Sequence, residues 1–583
     1  MNSVQGNASS AEDFAALDMA LDALKTNATA WAQTSNAERI AVLNEIKDRT
    51  LAVSEGWVEI AVRKKGIPSD SPLAGEEWIS GPYAVISACN GLIETLTQMG
   101  DKAFLHALPK RTTVTEQLAV TVLPHNLWDR LLLSGVTAEV WMEKGVDEHH
   151  LADHTAGAYA APLSEREGRV ALVLGAGNVA SIAPLDAMYK LFSEHQVVLL
   201  KMNPVNDYLT DYLCAAFRPL IACGALRIVK GGAASGAYLC QHASIDEIHI
   251  TGAETTHDAI VWGVGEEAVQ NRLAATPKIN KRVTSELGAV CPTIVVPGPW
   301  TQADIRFQAE NIATQKLHNS GFNCVAMQML ILPSYWEKKE ALMQAVRAVM
   351  AAGLPRAAYY PGAAERMQSF VAHSDDATLF DRGEAPACVV VPYQDDGQAW
   401  YRSQEIFAPA FSTYEIEGRD AQTYLQAAID YANTQLHGTL GANILIHPTT
   451  IKEMGEQRFQ ALVADLKYGT VAINTWTGLG FLTTACPWGA FPGHTLADVR
   501  SGIGFVHNTF MFDKAERVVV QAPWRPFPRN VLSGVFDLLP KPPWFVTNKT
   551  QHITARLMTG FQHKPSWWKL PRIFLNALLG CCA

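Results

Sequence analysis

From residue 169 onward, short apolar runs alternate with longer stretches of helical spacing, and this alternation limits the folds open to the chain. "RVALVL" ends in "GAGN" and leads into "SIAPLDAMYKLFSEH". "QVVLLK" follows, then a helical stretch from Asn206, then "ALRIVKGG", the short "GAYLCQH" and "EIHITGA". Strand-length runs alternating with helices predict a parallel sheet covered on both faces. Ligands of such sheets sit beyond the carboxyl ends of the strands. Here those ends are Gly175–Asn178, Lys201–Pro204, Gly231–Gly232 and Thr251–Ala253, a nucleotide-type scaffold.

A second α/β segment runs from about residue 290 to 480 and contains "TIVV", "ACVVVPY", "EIFAPAFSTYEI" and "GANILIHP". Residues 1–165 read mainly as helices. "SNAERIAVLNEIKDRT" places Ser35 three residues before Glu38, a capping box, with Ile40, Leu43 and Ile46 at helical spacing behind it. Beyond about residue 515 the chain is rich in Pro and Trp and reads as an appended tail. The expected division is 1–289 for N-terminal helices and a cofactor domain and 290–480 for a catalytic domain. Residues 481–583 return to the core and then extend as a tail.

At 583 residues, with 48% apolar and 18% charged side chains, the chain has ample core for more than one domain. A net charge of −10 argues against nucleic acid as a partner. The N-terminal "MNSVQGNASSAEDF" has no basic region followed by an apolar one, and no apolar run reaches the roughly 18 residues of a spanning helix. Ten scattered cysteines, with only Cys581–Cys582 adjacent, fit a reducing cytoplasm. "EHHLADH" puts His150 and His154 one helical turn apart, but a solvated turn is the better reading and no metal is assigned.

"NSGFNCVAMQMLILP" sets Cys324 at the join of a polar loop and an apolar run. A thiol there is open to a cleft while its backbone is anchored in the core. Most free cysteines are small buried hydrophobes, the reading given to Cys291 and Cys388. For Cys324, the surrounding motifs decide.

"TSELGAVCP", "NSGFNCVAMQMLIL", "EIFAP", "YANTQLHGTLGANILIHP", "YGTVAINTWT" and "CPWGAFPG" resemble, in order and spacing over roughly residues 170–510, the signature segments of the aldehyde dehydrogenase superfamily. The resemblance implies a Rossmann-like cofactor domain plus an α/β catalytic domain, with a C-terminal extension outside it. It implies a homodimer or homotetramer, NAD or NADP as cofactor, and a small-molecule aldehyde as substrate. Cys324 then corresponds to the nucleophile, Asn178 to the side-chain donor for the alkoxide, and Glu286 to the base for thioester hydrolysis. Lys201 matches the lysine that binds the adenosine ribose. Gly252 and Ala253 match the turn that lets a pyrophosphate approach a helix N-terminus. Glu405 matches the nicotinamide-ribose contact, and Phe407 packs beside it.

Two departures shape the expectation. "GAGNVASIAP" is similar to the acyl-CoA reductase branch, which forms aldehydes and needs no water-activating glutamate; Glu286 favours hydrolysis. "KMNP" lacks the acidic residue that repels a 2′-phosphate, and Asn203 stands ready to donate to one. A scaffold that kept the fold without activity is a third reading. In the tail, Trp567 and Trp568 beside Lys564, Lys569 and Arg572 predict either peripheral membrane contact or docking on protein.

Overall fold

A computed structural model describes residues 11–382, 385–393 and 399–580. The opening "MNSVQGNASS" and the Cys581–Cys582 pair lie outside the described residues.

The predicted parallel sheet is present. It runs Gly502–Ile503, Arg282–Leu287, Glu247–Gly252, Val170–Leu174, Val197–Lys201, Leu226–Val229. All neighbours are parallel except the two-residue edge strand, whose Gly502 lies opposite Glu286. Val197–Lys201 is buried along its whole length, as a strand covered on both faces must be. Helix Ala11–Ala32 packs on the sheet's strands, and helix Asn36–Lys64, which opens with the reciprocal Ser35–Glu38 box, packs on neighbouring helices. "GAYLCQH" lies in helix Ala233–Gln241.

A second sheet has eleven strands, and its make-up departs from the expected division in two places. Residues 1–165 are mainly helical as expected, but they also contain three strands. Lys110–Thr112, Leu118–Leu123 and Thr137–Met142 form an antiparallel meander in the eleven-stranded sheet, so 1–289 is not one unit. The meander attaches through Ala515–Gln521, which pairs with both Thr137–Met142 and Thr470–Ile473. Residues 515–521 are therefore a central strand, not tail. Their "RVVV" run is buried between two partners, which an appended segment could not sustain.

The extension proper follows Gln521 and folds back on the N-terminal helices. Helix Gln551–His563 lies so close to Ala74–Trp78 that a Cβ on Gly75 would stand 2.5 Å from the Gln551 carbonyl carbon. Helix Leu570–Leu579 buries Leu570, Ile573 and Ala577 and leaves Leu575, Leu578 and Leu579 exposed; just before it, Trp568 is 93% exposed. Among the described residues no helix is long and apolar enough to cross a membrane.

Candidate active site

Four strand ends of the six-stranded sheet and the loop before Met327–Pro333 of the other sheet meet at one cleft of about 970 Å³. Asn178, Lys201, Asn203, Gly252, Ala253, Glu286, Cys324, Glu405 and Phe407 all line it. The residues singled out in the sequence are thus brought together, although they span more than two hundred positions.

Cys324 sits on a strained and tightly held loop. Asn319, Ser320 and Gly321 have φ of 53°, 55° and 78°, three left-handed residues in a row. The two that are not glycine cost about 1–3 kcal/mol each. Gly321 is required twice over, since a Cβ there would also meet the Ala408 carbonyl oxygen at 2.6 Å. The strain is offset by a buried polar net. The Asn319 amide donates to the carbonyls of Asn178 and Phe322, both at 3.0 Å. Its Oδ1 accepts from Lys65 Nζ and the Tyr359 hydroxyl, and its backbone N–H donates to Glu76. Lys65 in turn pairs with Glu77 at 2.9 Å, and Arg356 pairs with Glu76. All four ion-pair members are nearly inaccessible to solvent, so losing one partner would strand a charge.

Asn178 is tied to the same loop: its Nδ2 donates to the Phe322 carbonyl at 3.0 Å. A primary amide has two N–H groups, so one remains for the cleft. Among the described residues no acceptor takes the backbone N–H of Cys324. Both donors belong to residues that line the cleft, Cys324 among them, and a developing oxyanion needs such donors.

Glu286 faces the Cys324 thiol. Neither of its oxygens completes a hydrogen bond, which leaves a buried carboxyl short of partners. Burial, then the charge of Asp186, pushes its pKa up to about 7; the nearby Cys324 thiol and Trp488 pull it partly back. Burial also raises the Cys324 thiol well above its ordinary value, with Glu286 adding to the effect. A thiol that resists ionisation beside a carboxyl titrating near neutrality is a pair between which a proton can pass.

Glu405 hangs over Gly288, where a Cβ would lie 2.1 Å from its carboxylate oxygen. Burial pushes its pKa up to about 8, against the pull of Lys316 and Arg366. Lys316, buried below the site, is pushed down to about 7 by the same desolvation. Arg366 clamps the loop by donating to the carbonyls of Ile406 and Phe407. Phe407, itself at φ 43°, packs against Tyr360 with ring centres 4.9 Å apart. Arg366, Tyr360 and Lys65 went unmarked in the sequence: each comes from a segment with no motif, placed only by folding. Trp488 lies in the motif "CPWGAFPG" but was not singled out.

The far end of the cleft suits an extended anionic ligand. Helices Ala233–Gln241 and Glu254–Val261 begin at Gly232 and Ala253, and neither start is capped by a side chain, so their first N–H groups face the cavity. The Lys201 stem runs past Gly231 and Gly236, 3.7 Å from where a Cβ would be on either. Glu254, the one carboxylate at the second helix start, is held by His437 at 2.9 Å. Asn203 accepts from the Val205 N–H through Oδ1, leaving its amide N–H groups to the cavity. Asp207 is not part of the lining.

Residues 197–369 match the sequence pattern of the Aldehyde dehydrogenase family. The fold is similar to that of NAD-dependent aldehyde dehydrogenase from Sinorhizobium meliloti, at 17% identity and TM-score 0.56, covering 88% of each chain. It is similar to an indole-3-acetaldehyde dehydrogenase solved with NAD+, at 17% identity and TM-score 0.57, covering 87% of this chain and 88% of that one. It is also similar to NADP-dependent glyceraldehyde-3-phosphate dehydrogenase from Bacillus halodurans C-125, solved with NADP, at 18% identity and TM-score 0.55, covering 87% and 91%. No curated protein sequence matches the chain. The family match covers residues 197–369, and the likeness to these solved structures extends the same fold over most of the chain.

Proposed function

We propose that this chain oxidises an aldehyde to a carboxylic acid with NAD or NADP, through covalent adducts on Cys324. The observation that carries the reading is the pairing of Cys324 with Glu286 in a cleft whose far end fits a dinucleotide. The uncapped helix starts at Gly232 and Ala253 suit a pyrophosphate, Lys201 and Asn203 an adenosine ribose, and Glu405 the second ribose. When bound, the dinucleotide supplies the acceptor for the aldehyde's hydrogen and its electron pair.

The chain's own part begins with proton removal from Cys324 by Glu286, since burial holds the free thiol protonated. The thiolate adds to the aldehyde carbonyl, and the alkoxide accepts from Asn178 Nδ2 and the Cys324 N–H. Oxidation leaves an acyl thioester. Glu286 gives up the first proton to solvent and then takes one from water, whose oxygen attacks the thioester; the acid is released and that proton passes to the departing Cys324 sulfur. Acyl-CoA reduction has no use for that last base, so the position of Glu286 supports the oxidative direction. The test is absorbance growth at the NAD(P)H band with a panel of aldehydes, run beside acyl-CoA with NADPH. Turnover of acyl-CoA alone overturns the reading.

A further inference from the structure

The site has a second opening that the mechanism does not use. Opposite the cleft, Cys324 and Asn178 also line a chamber of about 40 Å³ walled by Val179, Ile182, Phe481, Trp476 and Trp488. Beyond it lies a chamber of about 150 Å³ that reaches the C-terminal extension through Met558 and Gln562. The two share a collar of four side chains: Ile79, Leu479, Leu482 and Trp544. From thiol to collar the wall is almost wholly apolar.

The charged groups in the outer chamber, and Asn90, are already partnered. Glu94 meets His125 at 2.5 Å, Asp129 accepts from the His125 N–H at 2.9 Å, and Asn90 donates to the Gln562 carbonyl at 2.8 Å. No unpaired cation among them awaits a negatively charged tail. A narrow collar of branched side chains and an indole admits a flexible unbranched chain more readily than a ring or a branched substituent.

From this we infer that the substrate is a long-chain, unbranched, uncharged alkyl aldehyde. Its carbonyl sits at Cys324, and its tail threads the collar into a chamber completed by the C-terminal extension. The inference rests on the reading that Cys324 oxidises aldehydes. It makes the extension part of the substrate site, with Trp544 closing the collar and the Met558 helix forming the outer wall.

The test measures kcat/KM for straight-chain aldehydes of increasing length at fixed cofactor concentration. Each methylene carried into the apolar wall raises kcat/KM by about fourfold until the tunnel is filled. Leu482→Trp, which narrows the collar, lowers the ratio of long-chain to short-chain kcat/KM by at least tenfold. Trp544→Ala, which widens it, lets a branched long-chain aldehyde gain on the straight one. Binding of a long-chain fatty acid, the product, is read independently by its effect on tryptophan fluorescence, since Trp476, Trp488 and Trp544 line the path. It weakens in Leu482→Trp. Short aldehydes turned over with no gain on lengthening overturn the tunnel and leave the aldehyde reading standing. No turnover of any aldehyde overturns both.

Discussion

The two cavities that meet at Cys324 are built in opposite ways. The cleft of about 970 Å³ is framed by backbone: strand ends, glycines and helix starts set its shape, and polar side chains such as Lys201, Glu286 and Glu405 point its chemistry. The apolar path on the other side is made of side chains from residues 79, 179, 482, 488 and 544, which share no sheet and no motif. A backbone-built site is fixed by topology and tolerates divergence elsewhere. A side-chain-built site is free to change, and it is where one enzyme of a fold comes to differ from another.

The sharpest break in the comparison comes at the shared wall. Cys324→Ala is expected to lower kcat by a factor of order 10³ or more while the cleft still binds NAD(P)H, read by nucleotide fluorescence. Retained activity would remove the residue on which both cavities depend. Next is Glu286→Gln, expected to slow the steady state by about 10²–10³. Because proton removal from Cys324 also uses Glu286, the burst of NAD(P)H should slow as well, but less than the steady rate. An unchanged steady rate would separate Glu286 from hydrolysis.

The same carboxyl sets a pH dependence. Burial favours its protonated form, so the base is lost as pH falls through about 7 and gained as pH rises through it. The steady-state rate should climb across that value and level off above it, and Glu286→Gln should abolish the inflection. A flat wild-type profile there would contradict the role. Smaller again is Gly288→Ala, which probes the backbone-built side alone. The added methyl meets Glu405, and the expected result is about a tenfold rise in KM for the cofactor with a stability loss of about 1–3 kcal/mol by thermal melting. The least effect concerns cofactor choice: with Met202, Asn203 and Pro204 after Lys201, kcat/KM for NAD and NADP should differ by less than about a hundredfold.

What the sequence disclosed follows the same division. The strand ends at Asn178, Lys201 and Gly252 were legible, because period and punctuation mark a parallel sheet and the sheet places its ligand. Cys324 and Glu286 were legible through ordered motifs. Residues 110–142 misread as helical because their strands are short and their partner, Ala515–Gln521, lies at the other end of the chain. Pairing over such a distance leaves no local mark. Arg366 and Lys65 escaped for a related reason: each acts by what folding brings beside it, and neither belongs to a motif. Ile79 and Trp544 were likewise unreadable as neighbours.

The late strands also bear on when this protein becomes reactive. Gly502 lies against Glu286, and Ala515–Gln521 ties residues 110–142 to the sheet that carries the nucleophile loop. Both segments leave the ribosome long after Cys324 has emerged. During synthesis the thiol is therefore an ordinary cysteine, with no finished carboxyl pocket to receive its proton.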